Sequence, residues 1–312
     1  MEREFILSFF FFLEEFEMAF TERDTIKRRK RNDKYTTANE PLIGYQQNDE
    51  IITQYPDMYQ AYMDFANTYA ISTDNFILTN GTEDSLRICF SVIRRMYDEY
   101  MRVYYMDHGW GLVNILAEQE GFYPKKIETS ISNYTQEFVN TDYFDLKERI
   151  YYYAPISNVF KQYIDEKRIL SASKENIIIR DEVYINETLL QACTYLNPGV
   201  FVIGSYSKAL GCGIRLGYIL FNSSYNEYFQ HNRPNYISPL AAMHTKIRLP
   251  SYEQRMEHMR ELEEERDGYF GKGFTTPNYI TIKSEEYDGD TERINRTIYT
   301  KDGKFVRLGM MK

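Results

Sequence analysis

The 312-residue chain reads as an α/β protein: a mainly parallel central sheet flanked by helices, followed by a small α+β unit. Three observations predict this. Short, mainly apolar runs recur at 76–79, 101–106, 150–154, 177–179 and 200–204. Strands covered on both faces look like this, because neither face alternates with solvent. Longer stretches with helical spacing, 83–100 and 112–121 among them, separate the runs as crossover helices do. Beyond about residue 225 the character changes. A charged helical run at 255–266 precedes strand-like segments at 274–283 and 305–311. The division expected is an N-terminal arm at 1–44 that joins the small unit, a large domain at 45–225 and a small C-terminal domain at 226–312.

Composition narrows the functional classes. Hydrophobic residues make up 43 % and charged residues 27 %, the profile of a soluble, well-packed protein. A net charge of −9 argues against a nucleic-acid partner, which needs a basic face. Cys89, Cys193 and Cys212 are too few and too scattered for a disulfide framework or a metal cluster. No metal is expected, and a reducing, cytoplasmic compartment fits. The apolar run at 5–13 falls short of the ~20 residues a membrane span needs. Acidic residues flank it and Arg3 is the sole basic residue before it, so the basic lead of a secretory signal is absent. It is expected to bury its phenylalanines against the body or a partner subunit, without entering a membrane. The basic run at 26–34 reads as a solvated linker.

The chemistry concentrates in two segments. In GSYSKALGCGIRLGYIL (204–220), Lys208 follows a strand and the serines Ser205 and Ser207. A glycine-rich stretch then leads to Arg215 and another apolar strand. Pyridoxal 5′-phosphate needs such a set: an amine to form a Schiff base, and hydroxyls and a guanidinium for its phosphate. A partly desolvated lysine beside a cation has a lowered pKa and can act as nucleophile and base. In IIIRDEVYINE (177–187), Asp181 ends a buried strand. A carboxylate there can keep a pyridinium nitrogen protonated, so that the ring accepts electrons. Tyr184 can hydrogen-bond the ring's phenolic oxygen. Taken singly, each segment also fits an ordinary turn with a surface lysine or a structural carboxylate.

Together with further segments in the same order, these resemble the fold-type I PLP-dependent class I/II aminotransferases, nearest the histidinol-phosphate aminotransferase group. Thr37-Ala38-Asn39-Glu40-Pro41-Leu42 is similar to the opening Asn-Glu segment, which makes Asn39 a substrate-binding candidate. Tyr55-Pro56-Asp57 resembles the segment whose tyrosine reaches the phosphate in the neighbouring subunit. Asn80-Gly81-Thr82-Glu83-Asp84 resembles the turn whose amides cup the phosphate at a helix N-terminus. His108-Gly109-Trp110-Gly111 resembles the segment that stacks an aromatic, here Trp110, on the cofactor ring. The resemblance assigns Asp181 to the pyridinium, Tyr184 to the phenolate, Ser205 and Arg215 to the phosphate and Lys208 to the Schiff base. Phe305-Val306-Arg307-Leu308-Gly309 resembles the strand whose arginine, here Arg307, takes the substrate carboxylate. Inside that apolar strand, an unpaired charge would await the substrate.

The resemblance implies amino transfer between an amino acid and a 2-oxo acid, or a phosphorylated keto compound, in a homodimer with shared sites. The family's asparagine turn is replaced by Ala154-Pro155-Ile156-Ser157-Asn158, so either Ser157 substitutes or Asn158 reaches in. The segment after Arg307 is short. Decarboxylation of a phosphorylated amino acid on the same cofactor, and a retired enzyme acting as a binding protein, are the alternative readings.

Overall fold

The computed structural model describes residues 56–97, 101–139, 143, 146–163, 165–191, 196–211, 213–265, 269 and 271–309. The 1–44 arm, the basic run, Asn39, Tyr55 and Cys212 lie outside the described residues. The first part of the chain runs α1 (Met58–Tyr69), β1 (Phe76–Thr79), α2 (Thr82–Met96), β2 (Arg102–Met106), α3 (Leu112–Gln119) and β3 (Tyr123–Ile127). It continues with β4 (Thr129–Ser132), β5 (Thr135–Phe138), β6 (Arg149–Tyr153), β7 (Lys161–Gln162), α4 (Glu166–Ala172) and β8 (Ile177–Asp181). Next come α5 (Glu187–Leu190), β9 (Val200–Ser205), β10 (Gly217–Leu220), α6 (Asn226–Asn232), α7 (Pro239–Met243) and α8 (Tyr252–Glu265). The last strands are β11 (Phe274–Thr275), β12 (Tyr279–Lys283), β13 (Ile294–Thr300) and β14 (Gly303–Gly309).

Seven strands form the central sheet in the order β1-β10-β9-β8-β6-β2-β3. Strands β9, β8, β6, β2 and β3 are mutually parallel, and β10 is antiparallel to both of its neighbours. The short connection from β9 to β10 explains the exception, since a parallel return needs a crossover of a dozen or more residues. Side chains alternate across the sheet. Leu78, Tyr151, Ile178 and Val202 join one apolar cluster, while Ile77, Tyr152, Ile179 and Phe201 join the other. Helix α2 covers the second face through Leu86, Cys89, Phe90 and Ile93, spaced as one helical stripe. Helix α1 starts where Asp57 accepts the Gln60 amide at 3.0 Å. No helix of the described residues is long and apolar enough to cross a membrane.

A four-stranded antiparallel sheet, β11-β12-β14-β13, follows the charged helix, and Met259 of α8 packs with Ile280, Ile282, Val306 and Leu308. The mainly parallel sheet and the small α+β unit are thus as expected, with differences in detail. The stretch 274–283 is two strands, because Pro277 between them lacks the amide a continuous ladder needs. Strands β3, β4, β5, β7 and β13 are not legible as apolar runs. Edge strand β3 exposes Tyr123, Lys125 and Lys126, which is how an edge is protected from further pairing.

Strand β10 meets the start of α2 at very close range. A Cβ on Gly217 would lie 2.5 Å from Thr79 Oγ1 and 2.7 Å from Gly81 Cα, and the latter is backbone that cannot swing away. We predict that Gly217→Ala lowers unfolding stability by about 1–3 kcal/mol, the usual range for overpacking. Urea unfolding checks this; an unchanged midpoint would show that the two segments can separate freely.

Candidate active site at the carboxyl edge of the sheet

Strand β1 points the same way as β9, since both are antiparallel to β10. The turns after β1, β2, β6, β8 and β9 therefore leave the sheet along one edge, where α/β folds gather their ligands. Gly81–Thr82, the 107–110 loop, the 155–160 turn, Asp181–Tyr184 and Ser205–Lys208 are brought to that edge.

At one end lies an anion cradle. Gly81 (φ +98) precedes α2, and no side chain caps the helix, leaving its first amides for an incoming acceptor. The Arg215 guanidinium covers Gly81, with its Cζ 3.2 Å from where a Cβ would stand. Arg215 itself has φ +55, a conformation side chains rarely adopt. Ser205 Oγ donates to the Leu216 carbonyl at 3.1 Å and accepts from the Ser207 amide at 3.0 Å, so it shapes the loop. The hydroxyl left over belongs to Ser207, buried without a hydrogen-bond partner. Glu83 pairs with Arg87 along the helix at 3.8 Å, so its contribution to the cradle is its backbone.

At the other end is a buried carboxylate. Asp181 is 3 % exposed; its oxygens accept from Tyr152 Oη at 2.6 Å and from the Val183 amide at 2.9 Å. Burial pushes its pKa up to about 6, against the opposing pull of those two donors. The neighbouring Arg180 does not neutralise it. Strand alternation sends Arg180 to the opposite face, where it pairs with Glu182 at 2.6 Å and Glu187 at 3.2 Å. Tyr184 is buried and meets Tyr279 edge-on at 5.7 Å. The carbonyl of half-buried Lys208 accepts from Asn278 Nδ2 at 2.9 Å and from the Arg255 guanidinium at 3.4 Å.

In the turn after β6, the Ser157 and Asn158 side chains both have partners within the protein. Ser157 Oγ is used inside its own turn, donating to the Phe160 carbonyl and accepting from the Val159 and Phe160 amides at 3.0–3.1 Å. With its amide oriented so that nitrogen and oxygen each meet a complementary group, Asn158 donates to the Gly109 carbonyl at 3.1 Å and accepts from Arg296 at 3.1 Å. The expectation of an unpaired Arg307 needs correction. Its Nε donates to Asn295 Oδ1 at 2.7 Å and a terminal nitrogen donates to the Asn158 carbonyl at 2.7 Å. It also stacks at 5.5 Å over Tyr279. These contacts orient the guanidinium. Directly across the ladder stands Arg296, and like charges so paired repel unless an anion joins them. Trp110 is partly buried against the apolar cluster on the α2 side of the sheet.

Four residues of this edge escaped the sequence reading: Tyr152, Arg255, Asn278 and Arg296. Tyr152 had a signal, since in a YYY run on a buried strand its hydroxyl must find a partner near the strand's end. Arg296 had one too, three residues into an alternating segment. Arg255 and Asn278 had none that distinguishes them from a charged helix and a turn.

Comparison with known proteins agrees with this geometry. The fold is that of the fold-type I enzymes. It matches histidinol-phosphate aminotransferase from Clostridium acetobutylicum with a TM-score of 0.60, at 17 % identity over 83 % of this chain and 86 % of that one. Aspartate aminotransferase from Thermotoga maritima gives 0.59, at 18 % identity over 94 % and 91 %. The PLP-bound C–S lyase from Staphylococcus hominis gives 0.64, at 14 % identity over 90 % and 85 %. Residues 167–286 match the family of aminotransferase class I and II. A histidinol-phosphate aminotransferase from Brachyspira hyodysenteriae is 24 % identical over 175 residues, 54 % of this chain. The match spans about half, 48 %, of that relative's length. The chain has the fold of the class I and II aminotransferases, and its 167–286 segment is similar to that family in sequence.

The state of Asp181 yields a pH test. Its folded pKa, about 6, is raised above the ordinary 3.8 of an exposed carboxyl. The folded chain therefore holds an extra proton between these values, and stability falls as pH rises through that window. In Asp181→Asn, the amide can accept from Val183 and donate to the Tyr152 oxygen. We predict that this variant, free of cofactor, melts higher than the parent at pH 8 and close to it at pH 4. Equal midpoints at pH 8 would show that the carboxylate is not desolvated as described.

Proposed function

We propose that this protein is a pyridoxal-phosphate-dependent aminotransferase that exchanges an amino group between an amino acid and a 2-oxo acid. The single observation that carries the reading is Asp181, a buried carboxylate with neutral donors and no cation paired to it among the described residues. A pyridinium fits that deficit. The other end of the same edge fits a phosphate, through the unpartnered Ser207 hydroxyl, the Arg215 guanidinium and the uncapped start of α2. The fold-type I relatives support the same cofactor, and Lys208 stands at the end of β9, on this same edge.

When bound, pyridoxal phosphate supplies an aldehyde that takes up amines and a ring that accepts the electron pair released at the α-carbon. Lys208 would be the amine that holds the aldehyde and the base that moves the substrate's α-proton. Asp181 would hold its negative charge against the ring nitrogen, while Tyr152 and Val183 hold the carboxylate in place. Tyr184 is the donor assigned to the ring's phenolic oxygen, and Trp110 the aromatic assigned to its face. Ser207, Arg215 and the Gly81–Thr82 amides fix the phosphate, with Ser205 and the Glu83 backbone supporting the loop and helix start. Arg307 takes the substrate's α-carboxylate.

Arg296 sharpens the substrate class. Two guanidiniums meet at Asn158, one on its carbonyl and one on its side chain. We assign Arg307 and Arg296 to an amino acid with a second acidic group, a carboxylate or a phosphate. We also assign Tyr55 to the partner subunit's phosphate in a homodimer, Asn39 to the substrate, the 45–225 and 226–312 stretches to two domains, and the protein to the cytoplasm.

Two experiments test the reading. Borohydride reduction with pyridoxal phosphate should fix one cofactor on the peptide carrying Lys208 and none in Lys208→Ala; a mapped adduct on Lys167 or Lys174 would refute the assignment. Arg296→Ala should weaken use of amino acids with a second acidic group by about 1.5–3 kcal/mol, a lost charged hydrogen bond. Monocarboxylic amino acids should be nearly unaffected. Equal losses for both classes would assign Arg296 to holding the 155–160 turn alone.

A further inference from the structure

We infer that Arg255, together with Asn278, is the positioning device that fixes the backbone of Lys208 from the far side of the chain. The inference rests on the proposed role of Lys208. Arg255 belongs to α8, and Asn278 lies just before β12. Arg255 donates one terminal nitrogen to the Lys208 carbonyl at 3.4 Å and the other to the Tyr184 carbonyl. Asn278 Nδ2 adds a second donor to the Lys208 carbonyl at 2.9 Å. One guanidinium thus ties together the two loops that carry the lysine and the phenol, and the amide holds the lysine loop alone.

The clamp leaves other groups unmet. Arg255 is 8 % exposed, and burial pushes its pKa down to about 10. Its Nε and the Asn278 Oδ1 are both buried without a hydrogen-bond partner. A buried unmet polar atom is destabilising, and an arginine that served packing alone would be expected to saturate its donors. The two side chains instead converge on one carbonyl in an irregular loop, where rotation of the peptide would swing the Lys208 side chain. Small errors in the placement of a reacting group reduce rate far more than binding.

The test uses the full chain and the variants Arg255→Met, Arg255→Lys and Asn278→Ala. Hydrogen exchange is followed first in cofactor-free protein. The Ala209 and Leu210 amides bond the Tyr206 carbonyl, and the Ile185 and Asn186 amides bond the Glu182 carbonyl, so each pair reports on one loop. Arg255→Met should speed exchange about tenfold or more in both pairs. Asn278→Ala should do so at 209–210 only, and the amides of α8 should keep their protection. Unchanged exchange in both pairs, or an equal loosening of α8, overturns the clamp. If Arg255→Met does not fold, Asn278→Ala and Arg255→Lys decide alone, the latter loosening both pairs less than tenfold.

Turnover with pyridoxal phosphate follows. Arg255→Met should lower kcat about ten- to a hundredfold with KM for the amino acid within about twofold, and Arg255→Lys should recover part of it. Unchanged kcat in a loosened variant overturns the positioning role. The exchange pattern needs no cofactor, so failure of the parent protein to take up pyridoxal phosphate at Lys208 is a separate outcome that refutes the proposed function alone.

Discussion

The site end of the sheet is organised around a carboxylate removed from water with no cation beside it among the described residues. Asp181 closes β8 on the face shared with Tyr152, and two neutral donors hold its oxygens. The adjacent residues are charged but face the other way, where Arg180 and Glu182 satisfy each other in a buried ion pair. Thr188 donates to both Glu182 oxygens, at 2.6 and 2.7 Å, and completes that network. A shift of one residue in β8 would exchange the faces, burying the ion pair under α2 and removing the carboxylate from the edge. The register of β8 between β6 and β9 is therefore a chemical requirement as well as a packing one.

A second constraint is the short return from β9 to β10. It forces the one antiparallel strand into the sheet and brings Gly217 against Gly81. That contact is what allows Arg215 to lie over the start of α2 while Ser207 and Lys208 remain on the same loop. The small sheet is joined to the edge through the turn after β6. Tyr279 donates to the Ser157 carbonyl, Thr281 to the Val159 carbonyl at 2.7 Å, and Arg307 to the Asn158 carbonyl. The arginine assigned to the substrate is thus also part of the hinge between the two sheets, and it is oriented before any anion arrives.

Much of this was legible in the sequence. The apolar strands of the central sheet are almost wholly buried, so composition alone marks them; Asp181 ends one of them, Lys208 follows another, and Arg215 leads into a third. The edge strands and the hairpin β4–β5 were not legible, because half-exposed strands mix lysine, serine and threonine with few apolar residues. The roles of Ser205 and Ser157 were also out of reach. Both are serines beside the site, and only the local hydrogen bonds reveal that their hydroxyls serve their own turns while that of Ser207 is left over. Asn278 shows the same limit, since its partner, the Lys208 carbonyl, lies far away in sequence.

The central claim is that Asp181, Lys208 and the Gly81–Arg215 cradle are three parts of one cofactor site. A crystal structure of the protein grown with pyridoxal phosphate measures this directly. The account predicts density continuous with Lys208 Nζ, the phosphate on the Gly81–Thr82 amides, Ser207 Oγ and Arg215, and the ring nitrogen within hydrogen-bond distance of Asp181. A phosphate bound elsewhere, or a ring nitrogen facing away from Asp181 with Lys208 unattached, would contradict it.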